Sequence, residues 1–315
     1  MLRWRTFRWI LATTLMIAVA AFTTFRLKDP ERRDLDDAAR REAPGRFVRL
    51  EDGVTHYEVA GPDTGRVVVL AAAFSVPAYL SDSLFQRLGR AGFRAVRFDY
   101  YGRGWSDRIH GPYDLDLFAR QLTGLLDSLH VTEPIDLAGL SFGAAIVTHA
   151  ADRYPDRVRS LVYVDPVFNT GRQLAPEERS SRAWAWHMVF RGGTNEMAEG
   201  QTYDLLHPER HPDWVTRYRP QQAFRGTRRA LRETRAAIAV APHQRAQLAR
   251  LAAHPRPVLI VWGRQDQVAP FSASVSLRAS MPRALFVPVD SAGHLPHLEQ
   301  PDTVADAVIA FLSAR

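Results

Sequence analysis

The stretch "PIDLAGLSFGAAI", Pro134 to Ile146, runs from an apolar segment through Gly139-Leu140-Ser141-Phe142-Gly143 into small, helix-compatible residues. "IDLAGL" reads as a buried strand and Phe142 to Tyr154 as a helix, so the two glycines bracket a strand-to-helix turn. A hydroxyl on such an elbow projects from the carboxyl edge of a sheet. There the N-terminal dipole of the following helix favours developing negative charge. Ser141 is therefore a candidate nucleophile rather than an ordinary turn serine.

A serine hydroxyl is weak at its free pKa and needs a general base, which in turn needs an orienting carboxylate. In the order Ser…Asp…His, both partners should sit just past later strands. "PVLIVWG" leads into "RQDQVAP", which carries Asp266, and "ALFVPVD" leads into "SAGHLPH", which carries His294. A rival carboxylate, Asp165, closes the strand "VRSLVYVD". It precedes Pro166, where an aspartate is commonly a turn former.

The rest of the chain supplies the scaffold. Arg46 to Leu50 and Thr55 to Ala60 read as an antiparallel pair, and "RVVVLAAA" as a strand buried on both faces. Helices are expected at Pro77 to Gly92, Asp114 to Leu129, Ser272 to Ser280 and Pro301 to Ala314, alternating with "RAVRFD" and the strands above. This alternation predicts an α/β fold, a mostly parallel, doubly wound sheet, over residues 46–315. Residues 168–240 lack a buried strand, are interrupted by Gly192-Gly193, Pro208, Pro212 and Pro220, and are rich in aromatics such as Trp184, Trp186, Phe190 and Trp214. So long an interval is expected to be an inserted helical cap.

Charge and composition narrow the function. The formal net charge is +7, but residues 1–33 hold seven Arg or Lys against Asp29 and Glu31. The folded part is therefore nearly balanced, which disfavours nucleic acid as a partner. There are no cysteines, which removes thiol nucleophiles and thiolate metal sites. Trp9 to Phe25 is an uncharged run with basic flanks, about 25 Å long as a helix. Residues 1–28 are read either as a cleaved signal peptide, with Ala18-Val19-Ala20 as the cleavage site, or as a retained membrane anchor. Residues 29–45 are charged and read as a linker that carries the domain away from the membrane.

Several motifs together carry a resemblance. "GLSFGA", "GRQDQVAP", "AGHLPHLEQP" and "FDYYGRGWSD" resemble the nucleophile elbow, acid loop, histidine loop and D-x-x-G-x-G-x-S loop of the α/β-hydrolase superfamily. The resemblance implies a Ser141–Asp266–His294 triad, although some relatives of this fold keep their acid at the position of Asp165. It also implies an oxyanion hole from the backbone N–H groups of Phe74 and Phe142. One departure is "AAAFSVP", where Ala72-Ala73 replaces the usual His-Gly before the oxyanion residue.

The activity so implied is hydrolysis of carboxylic esters through an acyl-enzyme, with no cofactor or metal. The cap aromatics point to apolar acyl or monoacylglycerol-like substrates. Alternatives are C–C bond hydrolysis of ring-cleavage products, proline-type aminopeptidase activity, or a non-catalytic binding protein of the same fold. Asp99, Arg103 and Ser106 are expected to fix their loop by hydrogen bonds. His297, one helical turn beyond His294, is expected to be structural or to support the triad from behind, and His187, His207 and His211 to be surface or pocket histidines rather than a metal set.

Overall fold

The computed structural model describes residues 2–168, 194–241 and 244–314. Among them, eight strands form one sheet: β1 (Arg46–Arg49), β2 (Val54–Ala60), β3 (Val67–Ala71), β4 (Arg94–Phe98), β5 (Ile135–Leu140), β6 (Val158–Val164), β7 (Val258–Gly263) and β8 (Leu285–Val289). Their order is β1-β2-β4-β3-β5-β6-β7-β8. The first two pairings, β1 with β2 and β2 with β4, are antiparallel, and every other pairing is parallel.

Continuous apolar runs suit this sheet because both of its faces are covered. On one face Val69, Leu137, Leu161, Tyr163 and Ile260 share a core with apolar residues of two helices, α4 (Leu115–Ser128) and α5 (Gly143–Arg153). On the other, Val68, Leu70, Val162, Leu259 and Val261 pack with α3 (Asp82–Arg90) and the C-terminal helix α12 (Pro301–Ser313). Each fully buried Val, Leu or Ile contributes about 1.5–3 kcal/mol relative to exposure, so the two cores hold the sheet rigid beneath its loops.

Helix ends follow local chemistry. The Asp114 carboxylate accepts from Leu117 N–H at 2.8 Å, so Asp114 caps α4 rather than joining it. The helix expected from Pro77 begins as a 3-10 turn, Ala78–Ser81, because Asp99 Oδ1 takes the Ala78 N–H at 2.8 Å.

Between β6 and β7 the described residues of the cap are helical: α6 (Thr194–Gly200), α7 (Trp214–Gln222) and α8 (Thr227–Val240). Trp184, Trp186, His187 and Phe190 lie outside the described residues. A further helix, α9 (Arg245–Ala253), leads back to β7, and α10 (Ala273–Ser280) and α11 (Pro296–Glu299) complete the chain order.

The N-terminal helix α1 (Leu2–Lys28) is long and apolar enough to cross a membrane, with a mean hydropathy of 1.5 over Thr6–Thr23. Its large apolar side chains, Trp9, Leu15 and Ile17 among them, are exposed and add nothing to either core.

The reading of residues 29–45 as a linker needs correction, because this segment is docked on the domain as a strap. Arg33 forms a bridge with Phe224, its N–H donating to Ala223 O and its O accepting from Arg225 N–H, both at 2.8 Å. The Glu31 carboxylate accepts from Gly226 N–H at 3.0 Å and Arg228 N–H at 2.6 Å. It thereby caps α8, whose N-cap residue, Gly226, has no side chain to do so. Arg228 answers with ion pairs to Asp29 and Glu31, at 2.6 and 3.3 Å. Farther on, Arg40 pairs with Asp107, α2 (Asp37–Arg40) is capped by Asp36, and Ala39 is buried. Charges that read as solvated are satisfied by partners far along the chain.

Candidate active site

At the carboxyl edge of the central strands, Ser141 adopts φ +54°, a left-handed backbone that a residue with a side chain rarely takes. Two glycines make the turn possible. A Cβ on Gly139 would lie 2.6 Å from the backbone of Ala144, and one on Gly143 would lie 2.1 Å from Ala71 O. Strand, elbow and helix therefore approach more closely than any larger residue allows.

The structure brings Ser141, Asp266 and His294 together as a buried chain. His294 Nε2 lies 2.8 Å from Ser141 Oγ, and His294 Nδ1 lies 2.8 Å from Asp266 Oδ2. Since a carboxylate only accepts, Nδ1 carries the hydrogen, and Nε2 is left to accept the serine proton. Asp266 is itself held, its Oδ1 accepting from Val268 N–H and Ala269 N–H at 2.8 Å each.

The His294 loop is pinned from the cap side. His294 N–H donates to Asp204 O at 2.9 Å. The Glu299 carboxylate takes Gly293 N–H at 2.6 Å and His207 N–H at 2.8 Å, joining that loop to the cap. Burial pushes the Asp204 carboxyl up to about 6, with His294 and Asp266 near enough to pull in opposite directions.

Phe74 and Phe142 meet edge to face, with ring centroids 5.6 Å apart. Among the described residues, neither backbone N–H has a hydrogen-bond acceptor. The buried Arg103 guanidinium donates to Phe74 O at 2.9 Å and lies over the Phe74 ring. The carbonyl of Ala72 accepts from Tyr100 Oη at 2.8 Å. The Ala72 and Ala73 methyls are buried, so apolar packing fills the place of the expected His-Gly.

The loop after β4 is tied together as its motif suggested. Asp99 Oδ2 accepts from Trp105 N–H at 2.8 Å, and Ser106 Oγ donates to Asp99 O at 2.6 Å. Asp99 Oδ2 also holds His56 Nδ1 at 2.8 Å, and the other ring nitrogen, Nε2, meets Pro44 O of the strap.

Among the described residues, the other histidines named from the sequence make no hydrogen bond to the reacting groups. His297 Nε2 donates to Leu80 O at 3.0 Å, and burial pushes its imidazole down to about 3, so it stays neutral. His207 pairs with Glu209 at 3.1 Å near the surface, and His211 is partly exposed. Sequence reasoning missed Glu299, Asp204 and Gln221. Gln221 on α7 donates to Ser75 O and accepts from Gly104 N–H, both at 3.1 Å, which joins the cap to the loops after β3 and β4. Asp204 and Gln221 act on residues brought close only by the fold, and Glu299 joins Gly293, six residues away, to the remote His207.

Known proteins agree with this architecture. Residues 65–307 match the family model described as "Alpha/beta hydrolase family". The chain is similar to the 2-hydroxymuconate semialdehyde hydrolase of Pseudomonas sp. (strain CF600), 29% identical over 70% of this chain and 76% of that protein. A putative carbamate hydrolase of Caulobacter segnis is 28% identical over 83% of this chain and 97% of its own length. Among solved structures, a thermophilic esterase from Thermogutta terrifontis superposes with a TM-score of 0.74 at 26% identity, covering 86% of this chain and 99% of that one.

Proposed function

This chain belongs to the alpha/beta hydrolase family, and from that premise we propose that it is a serine hydrolase cleaving carboxylic esters through an acyl-enzyme. The observation that carries the reading is the pair of 2.8 Å hydrogen bonds linking Ser141 to His294 and His294 to Asp266. His294 Nε2 takes the proton from Ser141 Oγ as it attacks the ester carbonyl, and Asp266 steadies the imidazolium that results. The N–H groups of Phe74 and Phe142 receive the oxyanion. His294 then gives the proton to the leaving alkoxide, which departs as the alcohol. A water attacks the acyl-enzyme with His294 again as base, and Ser141 is restored.

Apolar acyl groups suit the surroundings. Phe142 adjoins the nucleophile in the chain and its ring meets that of Phe74, and the exposed apolar side chains of α1 would hold the enzyme at a membrane where monoacylglycerol-like esters collect. A second reading, C–C bond hydrolysis of ring-cleavage products, draws support from the similarity to 2-hydroxymuconate semialdehyde hydrolase. It would use the same three residues.

A panel of aryl and glyceryl esters graded by acyl length, run beside a ring-fission dienone, tests the choice. Ester turnover that peaks at apolar chains and falls by about six orders of magnitude in Ser141→Ala supports the proposal. Faster turnover of the dienone than of every ester moves the assignment to C–C hydrolysis. Unchanged ester turnover in Ser141→Ala overturns the serine mechanism.

A further inference from the structure

One of the buried ionisable groups that the proposed mechanism does not use lies beside the triad. Asp165 directly follows β6, the strand paired with β5 beside the elbow, and is fully buried. Its backbone is left-handed, φ +43°, a conformation that aspartate tolerates better than most residues but not freely. Its Oδ1 accepts from Gly263 N–H at 2.9 Å. Its Oδ2 has no hydrogen-bond donor among the described residues. A buried carboxylate oxygen left so is unfavourable, and a full charge there more so.

What Oδ2 does have nearby is another carboxyl. One side-chain ligand atom from each of Asp165, Asp266 and His294 lies within 4.8 Å of the other two. A divalent cation would answer two carboxylates, but His294 Nδ1 carries the hydrogen it gives to Asp266 and has no lone pair for a metal. A single proton answers the geometry better. Two carboxyl groups this close do not both ionise, and a neutral acid turns repulsion into a donated hydrogen bond.

The choice of which group is neutral follows from their partners. Asp266 receives three donors, the N–H groups of Val268 and Ala269 and His294 Nδ1. Asp165 receives one. Donors stabilise a carboxylate, so the charge belongs on Asp266 and the proton on Asp165. Burial, followed by the neighbouring Asp266 and a smaller repulsion from Glu299, pushes the Asp165 carboxyl well above the usual range.

We infer that Asp165 is a positioning residue: a neutral carboxylic acid that donates to Asp266, holds it for His294, and serves as a reserve carboxylate when Asp266 is neutralised. This rests on the serine-hydrolase reading above. In the resting enzyme the Asp165 proton fixes the Asp266 rotamer for His294. When Asp266 is replaced by asparagine, the repulsion from Asp266 disappears, and the positive charge forming on nearby His294 offsets the burial that remains. Asp165 then releases its proton to solvent and presents a negative charge to the imidazolium.

A double-mutant cycle tests this on the full chain, with circular dichroism and melting to check folding. Asp266→Asn alone is expected to lower kcat by about 10²-fold. The same change in an Asp165→Asn background, where no carboxylate is left, should reach the roughly 10⁴-fold loss typical of a triad without its acid. Equal losses in both backgrounds overturn the inference. Asp165→Asn alone can still donate to Asp266 through its amide, so it should lose far less kcat than Asp165→Ala, with KM little changed in both; equal losses also overturn it.

Infrared spectroscopy gives a readout independent of turnover, and on the parent protein it needs no variant. The parent protein at pH 8 should show the carbonyl stretch of a neutral carboxylic acid, absent in Asp165→Asn and retained in Asp204→Asn. No such band in the parent overturns the inference. Full turnover in Ser141→Ala would instead defeat the serine-hydrolase reading, leaving the infrared result to stand by itself.

Discussion

The elbow around Ser141 and the strap around Glu31 are both polar assemblies that fix a helix N-terminus and a loop. The chain encodes them in opposite ways. At the elbow every constraint is local: Gly139 and Gly143 are required by approaches of 2.6 and 2.1 Å within one strand–turn–helix unit. At the strap, the Glu31 carboxylate closes the N-terminus of α8 from 195 residues away. Backbone geometry that only glycine satisfies leaves a pattern in sequence. An ion pair that any acidic residue could form leaves none until the fold brings its partner near.

The two regions are also joined. The strap grips Ala223, Gly226 and Arg228, and Gln221 on the same turn grips Ser75 O, one residue from the Phe74 N–H. Each experiment below separates the locally written region from the remotely written one, beginning with the larger effect.

The sharpest separation is at Phe74. If its N–H is an oxyanion donor, the demand is on the backbone, and Phe74→Leu should keep most of the ester turnover while altering acyl preference. Phe74→Pro removes the N–H, which has no other acceptor among the described residues, and should cost about 10²–10³-fold in kcat. Steady-state kinetics on a soluble ester, with melting curves as a folding control, distinguish these outcomes. A folded Phe74→Pro enzyme with near-normal kcat would place the oxyanion donor elsewhere.

The strap should yield a smaller effect, read in stability. Deleting residues 1–28 removes α1 only, whose apolar side chains are exposed, and should leave melting and soluble-ester turnover close to the parent. A cut at residue 33, natural for a mere spacer, takes away Glu31 and Arg33 as well. Deleting residues 1–45 also removes the Pro44 carbonyl from His56. Glu31→Ala alone uncaps α8 and should cost about 1–2 kcal/mol, near 2–4 °C of Tm per kcal/mol in a domain of this size. Identical melting of the 1–28 and 1–45 deletions would show the contacts to be energetically idle.

This contrast explains how much was legible. The alternating strands, the order Ser141, Asp266, His294 and the loop network at Asp99 all follow from periodicity and short motifs. The docking of residues 29–45 did not, because a run such as "DPERRDLDDAARREA" is equally consistent with solvation. Asp165 falls between. Its place at the end of β6 was visible, but its unsatisfied Oδ2 beside Asp266 appears only when β6 and β7 lie side by side.

The mildest test concerns His56, where the two regions touch. Its Nδ1 meets Asp99, which ties the loop after β4, and its Nε2 meets Pro44 O of the strap. Both partners accept, so only a protonated ring satisfies both. Burial pulls the His56 pKa down, but the charge and hydrogen bond of Asp99 outweigh it and raise it. For Asp99, burial acts upward, and the charge and hydrogen bond of His56 overcome it and hold the carboxyl below its usual range. A base with a raised folded-state pKa stabilises fully below its unfolded value, about 6.5, and loses that contribution as pH rises through the folded-state value. An acid with a lowered one stabilises above about 3.9 and loses it as pH falls through the folded-state value. The pair therefore contributes most between these limits and fades on the alkaline side. Urea unfolding of the parent and of His56→Gln at pH 6 and pH 9 measures the difference, and comparing the two proteins at each pH cancels the other titrations. The gap should be wider at pH 6 than at pH 9, because the raised His56 pKa contributes stability that is lost as the ring deprotonates. A gap that does not change with pH would mean that His56 is neutral, and that strap and loop are joined there by packing alone.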